Sequence, residues 1–138
     1  MLKIERIDDF SLALAIRRAV FIDEQGVSEA DEVDGCDPDC LHWLVRDAEG
    51  AVATLRVLPK GETAKIQRVA VLPRARGTGL GGKLMHQVMR DLSALGYRRA
   101  ILGSQTDAIG FYERLGFTAH GPIYDDAGIP HRDMTRPL

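Results

Sequence analysis

Two arginines and four glycines are concentrated between residues 74 and 82, in the order Arg-Ala-Arg-Gly-Thr-Gly-Leu-Gly-Gly. Arginine side chains form paired hydrogen bonds with phosphate groups. Glycine leaves backbone N–H groups open to a ligand, and the unpaired N–H groups at the start of a helix attract anions. The segment therefore predicts a site for a phosphate-bearing ligand. The alternative is a glycine-rich turn that only allows a helix to pack against a strand.

This segment joins a predicted strand to a predicted helix. Residues 66–72 are rich in branched apolar side chains, as strands are, and Pro73 cannot continue the ladder. Apolar residues then recur at helical spacing until Gly96 ends the helix, in the stripe Leu80, Leu84, Val88, Leu92 and Leu95. Three glycines at the start of this helix destabilise it by about 2 kcal/mol relative to alanine. That cost favours the ligand-binding interpretation.

Three phosphate-binding motifs overlap here. Gly77, Gly79 and Gly82 match the GxGxxG dinucleotide motif. That motif starts past the middle of a 138-residue chain, which leaves no room for two βαβ halves, and no ribose-binding acid follows it. Residues 77–83 also match GxxxxGK, but Leu84 stands where that motif needs a magnesium-binding hydroxyl. Neither nucleotide interpretation is favoured.

The third pattern, Arg74-x-x-Gly77-x-Gly79, resembles the Q/R-x-x-G-x-G/A acetyl-CoA motif of the GCN5-related N-acetyltransferases, the GNAT superfamily. Residues 105–117, Gln-x-x-Ala-x-x-Phe-Tyr-Glu-Arg-Leu-Gly-Phe, look like the second conserved helix of that family. Residues 20–26 and 41–44 further resemble the small, single-domain ElaA-type branch. The resemblance covers most of the chain but assigns no acceptor substrate.

The resemblance implies a GNAT-type α/β fold in one domain over residues 1–138. Its sheet would be mixed and mostly antiparallel, with six to seven strands and a central parallel pair, flanked by three to four helices. The residue pattern itself predicts strands at 2–7, 41–45, 51–58, 66–72, 98–103, 117–124 and 130–135, and helices at about 9–23, 80–95 and 106–115. The helix that connects the fourth and fifth strands predicts that these two are parallel.

The resemblance also implies acetyl-CoA as a cosubstrate and no metal. The backbone around Val69 and Val71 would pair with the pantetheine arm and polarise the thioester carbonyl, and the amides of residues 76–81 would hold the pyrophosphate. Gln105 stands where many relatives have a cofactor-binding asparagine. The implied cofactor-binding residues are Val69, Ala70, Val71, Arg76, Gly77, Thr78, Gly79, Leu80, Gly81 and Gln105.

Acetyl transfer to an amine requires a neutral amine, donors for the oxyanion and a proton for the leaving thiolate. Tyr112 matches the family tyrosine that commonly protonates the thiolate. It lies at the edge of its helix's apolar stripe, so a purely structural tyrosine is the alternative. The first candidate for the general base is Glu24, the second is His42, and water is the third. A lysine-type amine is about one part in a thousand neutral near pH 7.4, whereas an α-amine needs little help from a base.

Eight acidic residues and no basic residue lie between Asp23 and Cys40. They form either a solvated loop or a rim that attracts a cationic acceptor. In GNAT enzymes the segment after the first helix generally contributes to the acceptor site. The predicted acceptor is therefore a small-molecule or peptide amine. If the acidic residues form such a rim, the acceptor carries a positive charge.

The composition of the chain argues against several other kinds of partner. A net charge of −2 without a basic block argues against nucleic acid or an anionic membrane, and no apolar run is long enough to cross a bilayer. Cys36, Cys40 and His42 lack a fourth zinc ligand, and two free thiols in a loop are favoured over a disulfide in a cytosolic chain. We expect a cytoplasmic N-acetyltransferase, monomeric or homodimeric; the alternative is a non-catalytic acetyl-CoA sensor.

Overall fold

The computed structural model describes residues 2–138. The strands are β1 (Lys3–Ile7), β2 (Leu41–Asp47), β3 (Gly50–Lys60), β4 (Thr63–Val71), β5 (Arg99–Gln105), β6 (Thr118–Asp126) and β7 (Ile129–Pro137). They form one sheet in the order β1-β2-β3-β4-β5-β7-β6. The β4–β5 pair is parallel, and the other neighbouring pairs in the described chain are antiparallel. This confirms the predicted fold class.

Four α-helices flank the sheet: α1 (Ser11–Arg17), α2 (Glu29–Glu32), α3 (Leu80–Ala94) and α4 (Ile109–Glu113). Helix α1 continues into a segment of wider π-helical turns, Arg18–Glu24. In that segment the backbone N–H of Gln25 donates to the carbonyl of Val20 at 3.1 Å. The predicted first helix therefore ends where expected, but with a different winding in its last seven residues. Such π-helical insertions often lie near functional sites.

The two faces of the sheet are covered by different helices. Helix α1 and the π-helical segment bury Ala13, Ile16 and Val20 against one face, where Ala70 of β4 also packs. The long helix α3 covers the opposite face, with Leu84, Met85, Val88 and Leu92 fully buried beside Trp43 and Val45. The indole N–H of Trp43 donates to Asp91 of α3 at 2.9 Å, which fixes the helix on the sheet.

Strand β4 contains a bulge. Residue Thr54 of β3 lies opposite Ala70, but Arg56 lies opposite Gln67, so Arg68 and Val69 together face Leu55. The extra residue exchanges the faces of the strand. Before the bulge, Ala64 and Ile66 pack toward α3; after it, Val69 and Val71 do so.

The parallel strands β4 and β5 are paired over only part of their length. Their register runs from Thr63 opposite Arg99 to Ile66 opposite Leu102. Beyond that point both strands continue, to Val71 and Gln105, without pairing. The sheet therefore opens into a gap at the carboxyl ends of its two central strands. Within residues 2–138 no helix has both the length and the apolar composition that spanning a membrane requires.

Candidate active site

A cavity of about 280 Å³ lies in the gap between β4 and β5. Its floor is formed by Ile66, Val69 and Leu102 together with the ends of the two strands. One wall comes from the segment that follows α1, and the other from the turn of the β6–β7 hairpin. The polar and aromatic lining residues are Phe21, Gln25, Asp31, Glu32, Lys65, Gln67, Arg68, Ser104, Gln105, Tyr112, Tyr124, Asp126 and His131.

The predicted thioester-binding strand borders this cavity. Val69 lines it, and Val71, two residues further along the same face, contacts the start of α3. A Cβ added to Gly81 would lie 4.0 Å from Val71 and 3.4 Å from the ring of Phe111. Ala70 points to the other face and is buried under α1. The second half of β4 therefore leads from the cavity to the glycine-rich turn, and Ala70 offers only its backbone.

The glycine-rich turn leaves the start of α3 uncapped. Gly77 and Gly79 have φ angles of 75° and 79°, a left-handed conformation that favours glycine. No side chain caps the helix, and the first bond inside it runs from the N–H of Lys83 to the carbonyl of Gly79 at 3.2 Å. The amides of Leu80 and Gly81 consequently have no partner within the helix. These amides and the positive end of the helix dipole suit a phosphate.

Not every predicted donor in the turn is free. The backbone N–H of Arg76 donates to the carbonyl of Pro73 at 3.2 Å, within a short 3₁₀ turn. The hydroxyl of Thr78 donates to the carbonyl of Ala75 at 2.6 Å. Arg76 can therefore offer a ligand its side chain but not its amide.

The side chain of Arg76 is bound to Glu24. Its two terminal nitrogens each donate to a carboxylate oxygen of Glu24 at 2.6 Å, and its Nε donates to the carbonyl of Val71 at 2.9 Å. The hydrogen bonds from Arg76 lower the pKa of Glu24 below its ordinary value. Glu24 does not line the cavity. The predicted base is thus ionised, paired and set beside the glycine-rich turn.

Tyr112 reaches the cavity from α4. Its side chain is 8% exposed, and its ring packs edge-on against Phe111 and Phe117. The hydroxyl makes no hydrogen bond with residues 2–138 and is not sealed in the interior. Burial raises the pKa of Tyr112 to about 12, so the phenol is protonated at neutral pH. It is available as a hydrogen-bond donor to a ligand in the cavity.

Two glutamines meet at the edge of the cavity. Gln105, at the end of β5, donates from its side-chain amide to the side-chain oxygen of Gln25 at 3.0 Å. Gln25 directly follows the π-helical segment. Gln105, which is predicted to bind the cofactor, therefore contacts the cavity wall that is formed by the segment after α1.

His42 lies outside this cavity. It lines a separate cavity of about 160 Å³ beside Phe10, with which its ring stacks at 4.8 Å. Its Nε2 donates to the carbonyl of Asp37 at 2.9 Å, and the residue is 2% exposed. The same small cavity is lined by Cys40, whose pKa is raised by burial. Both cysteines are free thiols, and residues 2–138 contain no cluster of side chains suited to a metal.

Most of the eight carboxylates between Asp23 and Cys40, the acidic segment, are paired with arginines. Glu24, Glu29, Glu32, Asp34 and Asp37 each form at least one ion pair with an arginine. Glu32 and Asp37 are buried, as are their partners Arg17 and Arg56. Sequence reasoning missed this network. The available signal was Arg17, a cation at an apolar position of the predicted helix stripe, because a charge there must find a buried partner.

Comparison with known proteins agrees with this geometry. A model of the acetyltransferase (GNAT) domain family matches residues 19–138. The uncharacterised protein YyaT of Bacillus subtilis is 39% identical over 136 residues, which cover 94% of this chain and 90% of YyaT. ElaA of Escherichia coli is 33% identical over 129 residues, covering 89% of this chain and 84% of ElaA.

Solved structures show the same relationship. The crystal structure of ElaA superimposes with a TM-score of 0.86 and covers 99% of both chains. An acyl-CoA N-acyltransferase from Pseudomonas aeruginosa is 30% identical, with a TM-score of 0.86 and 99% of both chains covered. On these grounds the chain belongs to the GNAT acetyltransferase family and is a homologue of ElaA.

Proposed function

We propose that residues 1–138 form a single cytoplasmic N-acyltransferase domain that transfers an acetyl group from acetyl-CoA to a primary amine. The observation that carries the proposal is a series of features that follows β4 along its gap with β5 and defines a path for an extended ligand. It starts at the uncapped amides of α3, passes Val71 and Val69, and ends at the free hydroxyl of Tyr112. A phosphate-terminated thioester has its charged and reactive ends in this order.

Each part of the path has a chemical role in this proposal. The amides of residues 77–81, the helix dipole and the side chain of Arg76 bind the pyrophosphate. The backbone of Val69 and Val71 pairs with the pantetheine arm and donates to the oxyanion. Gln105 contacts the arm near the end of β5. The amine attacks the thioester directly, in a complex that holds both substrates.

Tyr112 donates a hydrogen bond to the departing thiolate. Its pKa of about 12 lies well above the ordinary thiol pKa of about 8.5, so full transfer of its proton to the thiolate is uphill. The proton that finally neutralises the thiolate then derives from the attacking amine. Since Glu24 is paired with Arg76 and His42 lies in another cavity, we infer that water in the open cavity removes the amine proton.

Two carboxylates support a cationic acceptor. Asp31 and Asp126 are exposed, line the cavity and form no ion pair among residues 2–138. The aromatic rings of Phe21 and Tyr124 line the same space and offer faces that attract cations. Two positive side chains also line the cavity. Lys65 would repel a cationic acceptor, whereas the charge of Arg68 is already paired with Glu32 and Asp34. An amine that carries a second positive charge fits this lining better than one that carries a carboxylate.

Two measurements test the proposal. Calorimetric titration should show binding of acetyl-CoA and no comparable binding of NADH or ATP. A thiol-release assay should then show CoA formation with at least one member of a panel of primary amines, and diamines should exceed amino acids at equal concentration. Acetyl-CoA binding without CoA release for any amine would favour the sensor alternative. Absence of acetyl-CoA binding would refute both.

A further inference from the structure

The conformation of Arg68 in the β4 bulge is unusual. Its φ angle is 56°, in the left-handed region, which disfavours a residue with a long side chain by roughly 1–2 kcal/mol. The other non-glycine residue in residues 2–138 with a positive φ is Ala127, in the β6–β7 turn. A strained conformation inside a strand persists only where surrounding contacts hold it.

Those contacts come from the acidic segment, residues 23–40. One terminal nitrogen of Arg68 donates to the carbonyls of Asp31 at 3.2 Å and Glu32 at 3.3 Å, and to the carboxylate of Asp34 at 3.3 Å. Its Nε lies 2.8 Å from a carboxylate oxygen of Glu32. That short contact lacks the angle of a hydrogen bond and is an ion pair. The side chain is 22% exposed at the cavity wall.

The acidic segment is itself fixed from two further elements. Arg17 of α1 binds Glu32 at 2.6 Å and Asp37 at 2.6 Å. Arg56 of β3 binds Asp37 at 3.0 Å and Asp34 at 2.6 Å. Arg17 and Arg56 are each 1% exposed, so breaking either pair would leave a buried charge without a partner. The carboxylates that hold Arg68 are therefore themselves bound by buried arginines.

We propose that Arg68 is a positioning residue for acetyl transfer. Arg68 and Val69 together oppose Leu55, so the φ angle of Arg68 sets the direction of the Val69 backbone at the cavity. Glu32 and Asp34 hold the Arg68 side chain, and the side chain holds the bulge. The acidic segment thus acts as a clamp on the strand that receives the thioester. This inference rests on the proposed function, because it assigns Val69 to the thioester.

The test is substitution of Arg68 by glycine. Glycine adopts a φ of 56° without strain, so Arg68→Gly removes the side-chain clamp and leaves the conformation accessible. We expect the Kd for acetyl-CoA to stay within about threefold of wild type and kcat to fall at least tenfold. The pH dependence of kcat should keep its midpoint, because no titrating catalytic group is removed. Arg68→Lys, which keeps a cation toward Glu32 and Asp34, should recover part of kcat.

A control uses an ion-paired arginine beside another bulge. Arg46 of β2 lies next to the register shift made by Val52, the extra residue of β3, and binds Glu5 at 3.0 Å, away from the cavity. Arg46→Gly should leave kcat within about threefold of wild type. Should Arg68→Gly not fold, Arg68→Lys alone must still show a lowered kcat with an unchanged Kd.

A readout independent of activity separates this inference from the proposed function. Amide hydrogen exchange of residues 66–71 should be faster in Arg68→Gly than in wild type, and unchanged in Arg46→Gly. Unaltered exchange together with unaltered kcat would overturn the inference and leave the acetyltransferase proposal intact. A wild-type protein that binds no acetyl-CoA would overturn the acetyltransferase proposal, while the exchange rates would still decide whether Arg68 holds the bulge.

Discussion

Arg76 and Glu24 are joined by two parallel hydrogen bonds of 2.6 Å, although 52 positions separate them in the sequence. The pair connects the glycine-rich turn to the end of the π-helical segment. Arg76 is also bound to the carbonyl of Val71, on the strand assigned to the pantetheine arm. Both partners are about 40% exposed, so solvent screens the pair and a phosphate can compete for the guanidinium. The two sequence candidates, a base and a cofactor ligand, are thus each other's partners in this structure.

This relationship predicts opposite effects for the two partners. Glu24→Gln should leave kcat within threefold of wild type and keep the acidic limb of the pH–rate profile, because in our proposal water rather than Glu24 is the base. It should also tighten acetyl-CoA binding slightly, because Arg76 is released. Arg76→Gln should weaken acetyl-CoA binding about tenfold, which corresponds to about 1.4 kcal/mol.

Calorimetry and steady-state kinetics measure both effects. Arg18→Gln is the matched control, because Arg18 forms a similarly exposed pair with Glu29 at 2.6 Å. A large loss of kcat in Glu24→Gln, with disappearance of the acidic limb, would restore Glu24 as the general base.

Tyr112→Phe separates a catalytic hydroxyl from a structural one. We expect kcat to fall about 10²-fold with an unchanged Kd for acetyl-CoA, since only the donor to the thiolate is lost. Stability should not decrease, because the Tyr112 hydroxyl opens to the cavity and forms no hydrogen bond with residues 2–138. With the pKa of Tyr112 at about 12, wild-type activity should show no loss from its deprotonation between pH 7 and 10. Full activity in Tyr112→Phe would assign the residue to packing alone.

Gly82 tests the reason for glycine at the start of α3. It has an ordinary helical φ, and a Cβ there would meet no atom of residues 2–138 within 4 Å, so nothing in this part of the chain requires glycine. Gly82→Ala should therefore raise the free energy of unfolding by about 0.5–1 kcal/mol. We expect it to weaken acetyl-CoA binding at least threefold, because a methyl group intrudes where the pyrophosphate approaches. Ser93→Ala, at an exposed position of the same helix, should change stability without changing affinity.

The predictable part of the fold depends on short-range pattern. Helix α3 was expected at residues 80–95 and runs over Leu80–Ala94, because its apolar stripe and its terminal glycine are local signals. The bulge at Arg68 has no local signal in the sequence, since residues 66–72 have the composition of a continuous strand. The π-helical turns of residues 18–24 were likewise not predicted, because the apolar residues there were interpreted as the end of an α-helix.

The candidate site was predictable only where a motif marked it. The glycine-rich turn was identified from its composition and Tyr112 from the family resemblance, and their roles stay predictions. The cavity wall formed by Tyr124 and His131 was missed, because it depends on β7 inserting between β5 and β6. The clamp of arginines and carboxylates was missed for a similar reason. Its partners, such as Arg17 and Asp37, lie 20 positions apart and on different elements.

The clamp predicts a specific acid sensitivity. Hydrogen bonds from Arg56 hold the pKa of Asp34 well below its ordinary value of 3.8. A carboxylate with a lowered pKa stabilises the fold fully above its unfolded-state pKa, and the contribution is lost as the pH falls toward the folded-state value. In urea, the free energy of unfolding of the wild type should therefore decline below about pH 4.

The variant Asp34→Asn should have a free energy of unfolding about 1–2 kcal/mol lower than wild type at pH 7, and this free energy should decline less in acid. Asp39→Asn, exposed and without an ion pair among residues 2–138, should behave as wild type; equal acid profiles for all three proteins would contradict the assignment.

Gly103 of β5 lets Tyr124 form the second wall of the cavity. A Cβ at residue 103 would clash with the Tyr124 hydroxyl, which donates to Asp133 at 2.8 Å. Gly103→Ala should therefore displace the tyrosine tip and break that hydrogen bond. Because the displaced ring lines the acceptor side of the cavity, we expect KM for the amine to rise several-fold, with little change in the Kd for acetyl-CoA. Gly128→Ala, in the turn of the same hairpin, carries a positive φ but would meet no atom within 4 Å, so it should lower stability and leave KM unchanged. If Gly103→Ala weakened acetyl-CoA and amine equally, Tyr124 would belong to the cofactor end of the cavity instead.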